Sequence, residues 1–336
     1  MVPSINVILG LAFLSLAASL ATVNGIVLVA LLKNKEFHSP TYRIMKNMLL
    51  GALFQLYAHL AGGVMTLTDS IVTYYFDKIA GAFMMLGWFL YLCSSLTLAV
   101  DRTMTFIRVF SNRTAAVISL CFMSFAWLIS IGYFVLMLLP AFSFTYESEI
   151  GYFNWYYSGE PGSRFLAELE MYLDFTIAIS VFILYIVIFV RLLTMRKQAS
   201  SNHLPSNIEM RILSVAAVSF LYEMANLVWL FWGMALLDIN VFSCSMMTFL
   251  MMLNCGLFAT VTLIMNGSDP APFELPLNSL LKLKLYIYDI TLNPAEKKGS
   301  FKSRGELIAR FVKKPIGRFS IGEFDFENGK IKFHKN

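Results

Sequence analysis

The stretch Ile79–Val100, IAGAFMMLGWFLYLCSSLTLAV, runs for 22 residues without a charged side chain. At a rise of about 1.5 Å per residue, a helix of this length spans about 33 Å, close to the hydrocarbon thickness of about 30 Å in a bilayer. Charge returns directly afterwards, at the triplet Asp101-Arg102-Thr103. The stretch therefore predicts a membrane-spanning helix with a charged boundary at its end.

The rest of the chain repeats this pattern. Of its 336 residues, 58% are hydrophobic and 14% are charged, whereas soluble domains carry about 25% charged residues. The mean hydropathy is +0.67. This composition excludes a soluble globular protein, a disordered chain and a disulfide-stapled secreted module. Apolar runs long enough to span a bilayer lie at Ile5–Leu32, Asn47–Thr66, Ile79–Val100, Ala115–Leu139, Tyr172–Val190, Ile212–Leu236 and Ser243–Met265.

We therefore expect an all-α membrane protein, with a seven-helix bundle over 1–265 and a basic, loosely ordered cytosolic tail over 266–336. Within the tail, residues 324–333 predict two short strands around an Asn-Gly turn. A cleaved signal peptide is the alternative interpretation of the first apolar run. It is disfavoured because residues 1–4 carry no Lys or Arg and because the run is about twice the length of a signal core.

Positive charges predict the orientation of the chain, because Lys and Arg concentrate in cytoplasmic loops. In total, 11 Lys and Arg lie in the loops 33–46, 101–114 and 191–211. Only 2 lie in the segments 1–4, 67–78, 141–171 and 237–242. We expect the N-terminus outside and the C-terminus in the cytosol. The tail holds 13 Lys and Arg and 8 acids, which accounts for the whole net charge of +5. The excess charge therefore indicates a cytosolic tail that could face lipid headgroups, and not a nucleic-acid surface.

Motifs for catalysis, phosphate binding and metal binding are missing from the sequence. We therefore expect no enzyme, no cofactor and no metal site. The four cysteines, Cys93, Cys121, Cys244 and Cys255, all fall inside predicted spans. We interpret them as small buried hydrophobic residues, and they leave no outer-loop disulfide.

A candidate ligand site is predicted in the outer half of the bundle. Asp174 and Glu223 are the acids inside the spans, and a buried acid in a membrane is costly unless it is protonated or paired. We expect Glu223 to bond Asn226 or Asn254. The predicted ligand residues are Trp88, Tyr91, Asp174, Glu223, Trp229 and Trp232. Core packing is the alternative for the tryptophans, and a structural hydrogen-bond network is the alternative for Glu223.

The acidic, aromatic loop 141–171 has two interpretations. It could form a lid over the outer pocket, or it could be a solvated loop whose Trp and Tyr side chains lie at the membrane interface.

A candidate switch is predicted at the end of the third span, where Asp101 can neutralise Arg102. We expect Glu209, just before the sixth span, to pair with Arg102 across the bundle, and outward movement of the sixth helix to break that pair. A basic cleft would then open to a cytosolic partner. Its predicted members are Arg108, Arg113, Arg191, Arg196, Lys197 and Arg211. The alternative is an ordinary basic anchor at the cytoplasmic membrane boundary.

Seven spans with Asp-Arg-Thr closing the third resemble the rhodopsin-like G-protein-coupled receptors. The stretches Ser39–Met45 and Leu49–Leu60 are similar to the nematode serpentine chemosensory receptors, first the Srt class and second the Srx class. This resemblance covers about residues 5–265. It implies an external ligand (an odorant, a pheromone or a peptide), a heterotrimeric G protein as partner, and the plasma membrane of sensory cilia as location.

The chain departs from the rhodopsin-like pattern in three spans. The second span has no Asp, the seventh has no Asn-Pro-x-x-Tyr, and no Pro follows Trp229 or Trp232 in the sixth. Two alternatives therefore stay open. One is a seven-helix ligand-gated channel, which would need an internal N-terminus. The other is a membrane protein without signalling activity that has a structural or trafficking role.

Overall fold

The computed structural model describes residues 5–33, 37, 39–107, 111–147, 153–198, 207–233, 241–266, 324–325 and 330–331. Within these ranges, seven helices are long and apolar enough to cross a membrane. Their bounds are α1 Ile5–Lys33, α2 Pro40–Thr68, α3 Tyr74–Ile107, α4 Asn112–Leu138, α5 Pro161–Gln198, α6 Asn207–Val228 and α7 Val241–Asn266. A π-helical turn, Trp229–Gly233, continues α6.

The predicted loop 141–171 is shorter than expected, because α5 begins at Pro161. Proline suits the first turn of a helix, where its missing N–H has no partner to lose. Part of the remaining segment forms an antiparallel hairpin of β1 (Phe144–Glu147) and β2 (Asn154–Tyr157), in which Tyr146 faces Trp155. We call the end of the bundle that carries this hairpin the hairpin end. The opposite end, where α3 carries Arg102, is the Arg102 end.

Helix α3 forms the centre of the bundle and has most of its side chains buried. The helices around it present large apolar side chains outward, such as Leu128 on α4, which is 70% exposed. An apolar exterior of this kind is suited to lipid and not to water. Cys121 also lies exposed on α4, so the prediction that all four cysteines are buried is wrong for this one.

Small residues let α2 and α3 approach closely. A Cβ atom on Gly51 would lie 2.9 Å from the carbonyl oxygen of Gly87, and 2.9 Å from the amide nitrogen of Tyr91. Contacts below 3 Å cannot be accommodated without movement of the backbone, so both glycines are required by packing. Such small-residue contacts are typical of helix pairs in membranes.

The chain divides into two units, residues 1–274 and 275–336. In the second unit, Phe324–Asp325 (β3) and Lys330–Ile331 (β4) pair antiparallel, with Phe324 opposite Ile331. The prediction of two short strands at this position is confirmed.

Candidate functional site

Asp174 lies at the centre of a polar site inside the bundle. It is on α5, it is fully buried, and the indole Nε1 of Trp88 on α3 donates to both of its carboxyl oxygens at 3.3 Å. These are long hydrogen bonds, and a charged carboxylate normally attracts shorter ones. The two predicted ligand residues are therefore brought together, but the carboxyl group has only a weak neutral donor.

A second buried acid, Glu170, lies one turn before Asp174 on the same helix. It accepts a hydrogen bond of 2.5 Å from the hydroxyl of Tyr157 on strand β2. The sequence analysis assigned Glu170 to a loop, so this site residue was missed. Glu170 and Asp174 are four residues apart in the sequence, and this spacing predicts that both side chains lie on one face of a helix.

Glu223 lies deeper in the bundle, on α6. It is 2% exposed and accepts a hydrogen bond from Ser95 on α3, whereas its Oε1 atom has no partner. Of the two expected partners, Asn226 donates instead to the Leu250 carbonyl at 3.4 Å, and the Oδ1 atom of Asn254 has no partner among the described residues. Ser95 is seven residues after Trp88, so Glu223 lies about 10 Å along α3 from Asp174.

The other predicted ligand residues fall in different surroundings. Tyr91 is buried between the helices, within electrostatic range of Glu223. Trp229 is half-buried in the π-helical turn, and its Nε1 atom has no partner. Trp232 is 53% exposed and packs against Phe175 with ring centroids 5.2 Å apart. Trp232, which was also predicted to be a ligand residue, therefore lies largely outside the buried interior.

The hairpin covers the interior, and two consecutive residues of α3 hold it and the segment that leads into it. The Asp77 carboxylate accepts from the Tyr146 amide at 2.9 Å and from the Thr145 hydroxyl at 2.5 Å. The Lys78 ammonium donates to the Leu139 carbonyl at 2.8 Å, to the Phe142 carbonyl at 2.5 Å and to the Ser143 hydroxyl at 2.8 Å. Sequence reasoning missed this pair, although an adjacent acid and base beside a span was a visible signal.

Further contacts fix the hairpin to α2 and α7. The Tyr146 hydroxyl lies 2.6 Å from that of Thr66, and burial raises the pKa of Tyr146. Phe153 adopts a left-handed φ of 41°, which is strained for a bulky residue. The Thr248 hydroxyl donates to its carbonyl at 2.9 Å and helps to hold it there. The arrangement supports the interpretation of this segment as a lid.

The Arg102 end is organised by Asp101. Its carboxylate lies 2.6 Å from Arg102 and accepts from the Thr41 hydroxyl at 2.8 Å and from the Ser119 hydroxyl at 3.2 Å. Arg102 also donates to Thr41. Asp101 thus ties α2, α3 and α4 together, and Arg102 is buried with it.

The expected Glu209–Arg102 pair is not described, because the Glu209 side chain lies outside the described residues. The same holds for Arg108 and for the side chains of Arg196 and Lys197. Among the described members of the predicted basic cleft, Arg113 and Arg191 are exposed and Arg211 is half-buried.

Tyr185 on α5 connects the two sites. It is within electrostatic range of both Glu223 and Arg102, and its ring packs against Phe220 of α6 at a centroid distance of 5.5 Å. No sequence pattern distinguishes this residue from the other aromatic residues of the fifth span. Among the described residues, no group of three or more His, Cys, Asp or Glu side chains could hold a metal ion.

The arrangement of helices matches known structures. The crystal structure of squid rhodopsin matches with a TM-score of 0.62 and 15% sequence identity, over 94% of each chain. At this identity the likeness establishes the fold alone. No protein-family model and no curated protein matches the chain. The protein is therefore a multi-pass membrane protein with a rhodopsin-like seven-helix fold, as predicted, whereas the nematode family and the orientation of the termini stay predictions.

Proposed function

We propose that this protein is a G-protein-coupled chemosensory receptor that binds an external small molecule or peptide at the hairpin end. The observation that carries the proposal is Tyr185, which lies within electrostatic range of Glu223 in the interior and of Arg102 at the other end. A receptor needs such a connection, because a ligand changes an equilibrium only through different contacts in the two states.

The proposed ligand site is the interior beneath the hairpin, with Trp88, Tyr91, Asp174, Glu223 and Trp229 as its residues. Support comes from the burial of Trp88, Tyr91, Asp174 and Glu223, and from the Oε1 atom of Glu223 and the Nε1 atom of Trp229, which have no partner among the described residues. Buried polar atoms without partners are uncommon in native proteins and are candidates for ligand contacts. Trp232 is left out because it faces away from the interior.

The proposed coupling site is the Arg102 end, which the distribution of Lys and Arg in the loops assigns to the cytosol. Movement of α6 would separate Tyr185 from Phe220 and change the surroundings of Arg102, and a bound G protein would compete with Asp101 and Thr41 for its guanidinium group. Arg102 would then join Arg113, Arg191 and Arg211 as a basic surface for a heterotrimeric G protein. Arg108, Arg196, Lys197 and Glu209 remain in the proposal on their positions in the sequence.

Placement in the plasma membrane, in the cilia of sensory neurons, rests on the resemblance of Ser39–Met45 and Leu49–Leu60 to the nematode serpentine receptors. The orientation can be tested by adding an epitope tag at the N-terminus and staining unpermeabilised cells. Surface staining supports the receptor topology. A tag that is stained only after permeabilisation would favour the channel, which needs an internal N-terminus.

The function can be tested by guanine-nucleotide exchange. The chain is reconstituted in lipid nanodiscs with purified heterotrimers of each G-protein class, and basal exchange is compared with that of empty nanodiscs. We expect at least one class to be activated and Arg102→Ala to abolish the activation. Arg164→Ala is the matched control, because Arg164 is an exposed arginine near the start of α5, at the hairpin end. Activation that is equal in all variants, or absent with every class, would refute the proposal.

A further inference from the structure

Two buried carboxyl groups on one face of α5 have no positive partner among the residues that the structure describes. Glu170 and Asp174 are 9% and 0% exposed, and each lies within electrostatic range of the other. Two like charges in a site of low dielectric constant repel one another, and each also loses its hydration. A cation bound between the two carboxylates would offset both their mutual repulsion and their loss of hydration.

Among the described residues, only neutral donors reach this pair. Tyr157 donates to Glu170, and Trp88 donates to Asp174 through long contacts. The buried basic side chains among the described residues are His59, Lys78 and Arg102. Lys78 is bonded to the segment that leads into the hairpin and Arg102 to Asp101, while the ring nitrogens of His59 have no partner among the described residues. The positive charge that the pair needs is therefore not provided by these residues.

A second, independent observation points to a ligand here. The hydroxyl of Tyr133 on α4 has no hydrogen-bond partner in the described part of the chain, although the residue is only 4% exposed, and it lies within electrostatic range of both Glu170 and Asp174. The Tyr133 ring stacks on Phe89 with centroids 3.9 Å apart. Together with Trp88 and Tyr157, these rings place aromatic surface around the acids. Aromatic faces combined with carboxylates are typical of sites for organic ammonium groups.

We propose that the ligand of this receptor carries an organic ammonium group that binds between Glu170 and Asp174, with the hydroxyl of Tyr133 as a further polar contact. This inference rests on the proposed function and specifies its ligand class. The ammonium would offset the negative charge of both carboxylates, and the aromatic rings would enclose its hydrocarbon part. A metal ion is not the occupant, because the described residues hold no group of ligands suited to one.

The test uses probes of one skeleton and different charge. The purified chain in lipid nanodiscs is titrated with 2-phenylethylamine, 2-phenylethanol and phenylacetate, and in parallel with hexylamine, hexanol and hexanoate. Binding is measured as the concentration-dependent rise in unfolding temperature, since a ligand that binds only the folded state stabilises it. We expect the two amines to stabilise the chain and their neutral and anionic counterparts to have no effect.

Variants locate the binding. Asp174→Asn and Glu170→Gln keep the shape of the side chain and remove its charge, so each should weaken amine binding by about tenfold or more, as expected for loss of a hydrogen bond to a charged group. Glu168→Gln is the matched control, because Glu168 is an exposed acid on the same helix. The unfolding temperature without ligand shows which variants are folded. If Asp174→Asn does not fold, the test is made with Glu170→Gln.

Three results would overturn the ammonium assignment: stabilisation by the neutral or anionic probes to the same extent, no stabilisation by either amine, or unchanged amine binding in both charge-removing variants. Failure of this inference is distinguishable from failure of the receptor function. If neutral probes bind while Arg102-dependent nucleotide exchange persists, the receptor function stands and the ligand class is wrong.

Discussion

Lys78 should hold the segment that leads into the hairpin, residues 139–143, on the bundle and thereby position the hairpin, and Lys78→Met tests this directly. Methionine keeps most of the apolar length of the side chain but removes the ammonium that donates to Leu139, Phe142 and Ser143. Hydrogen bonds to charged groups contribute about 1.5–3 kcal/mol each, and the three acceptors of Lys78 lie in partly buried bonds. Because the three bonds share one donor group, their contributions are not additive, and we expect a total loss of about 3–5 kcal/mol.

The loss can be measured through the buried thiols. Cys93, Cys244 and Cys255 are free and buried, so a thiol-reactive dye reports unfolding when Cys121, which is exposed, is replaced by serine in the background. A loss of this size should lower the unfolding temperature by about 6–15 °C. Arg164→Met is the matched control and should leave it unchanged, because Arg164 is exposed. If Lys78→Met unfolds at the parent temperature, the hairpin is held by its other contacts and this reasoning is wrong.

Three further predictions concern packing, pH and signalling. Gly81→Ala should lower surface expression, because its Cβ would collide with the Phe144 carbonyl and lie 3.3 Å from the Trp155 ring, whereas Gly25→Ala meets nothing within 4 Å and should be neutral. Burial raises the pKa of Tyr146, so the stabilisation from its protonated hydroxyl is complete below about pH 10, the usual value for tyrosine, and is lost as pH rises above it. Tyr146→Phe should therefore flatten the fall in unfolding temperature above that pH, and Tyr75→Phe, at a residue 76% exposed, should not. Glu223→Gln should fold and reach the surface like the parent, whereas Glu223→Leu should alter nucleotide exchange. If both Glu223 variants stimulate nucleotide exchange at the same rate as the parent protein, the residue has no role in signalling.

The sequence predicts the fold well because each span is a local property. An apolar run of sufficient length must form a helix in lipid, since no water is available for its backbone groups. The same reasoning identifies Asp174 and Glu223 as unusual from their positions in the chain alone, because an acid in such a run needs a local explanation.

The partners of those residues were harder to predict, because they depend on contacts between distant parts of the chain. Asp101 bonds Thr41, which is sixty residues away, and nothing in the sequence of either residue specifies the other. Trp232 was misplaced for a different reason. Its spacing of three from Trp229 puts both on one face of an α-helix, but the π-helical turn over Trp229–Gly233 changes the rotation per residue and turns Trp232 outward.

The same π-helical turn bears on the missing family motifs. A proline in the sixth span is one way to interrupt the regular hydrogen bonds of a helix, and a π-helical turn is another. Here the interruption lies directly after Val228, one and a half turns beyond Glu223. Likewise, Asp77 holds the hairpin and Lys78 holds the segment that leads into it, and the described cysteines form no disulfide. The absence of a sequence motif therefore does not argue against the receptor function when other residues provide the same geometry.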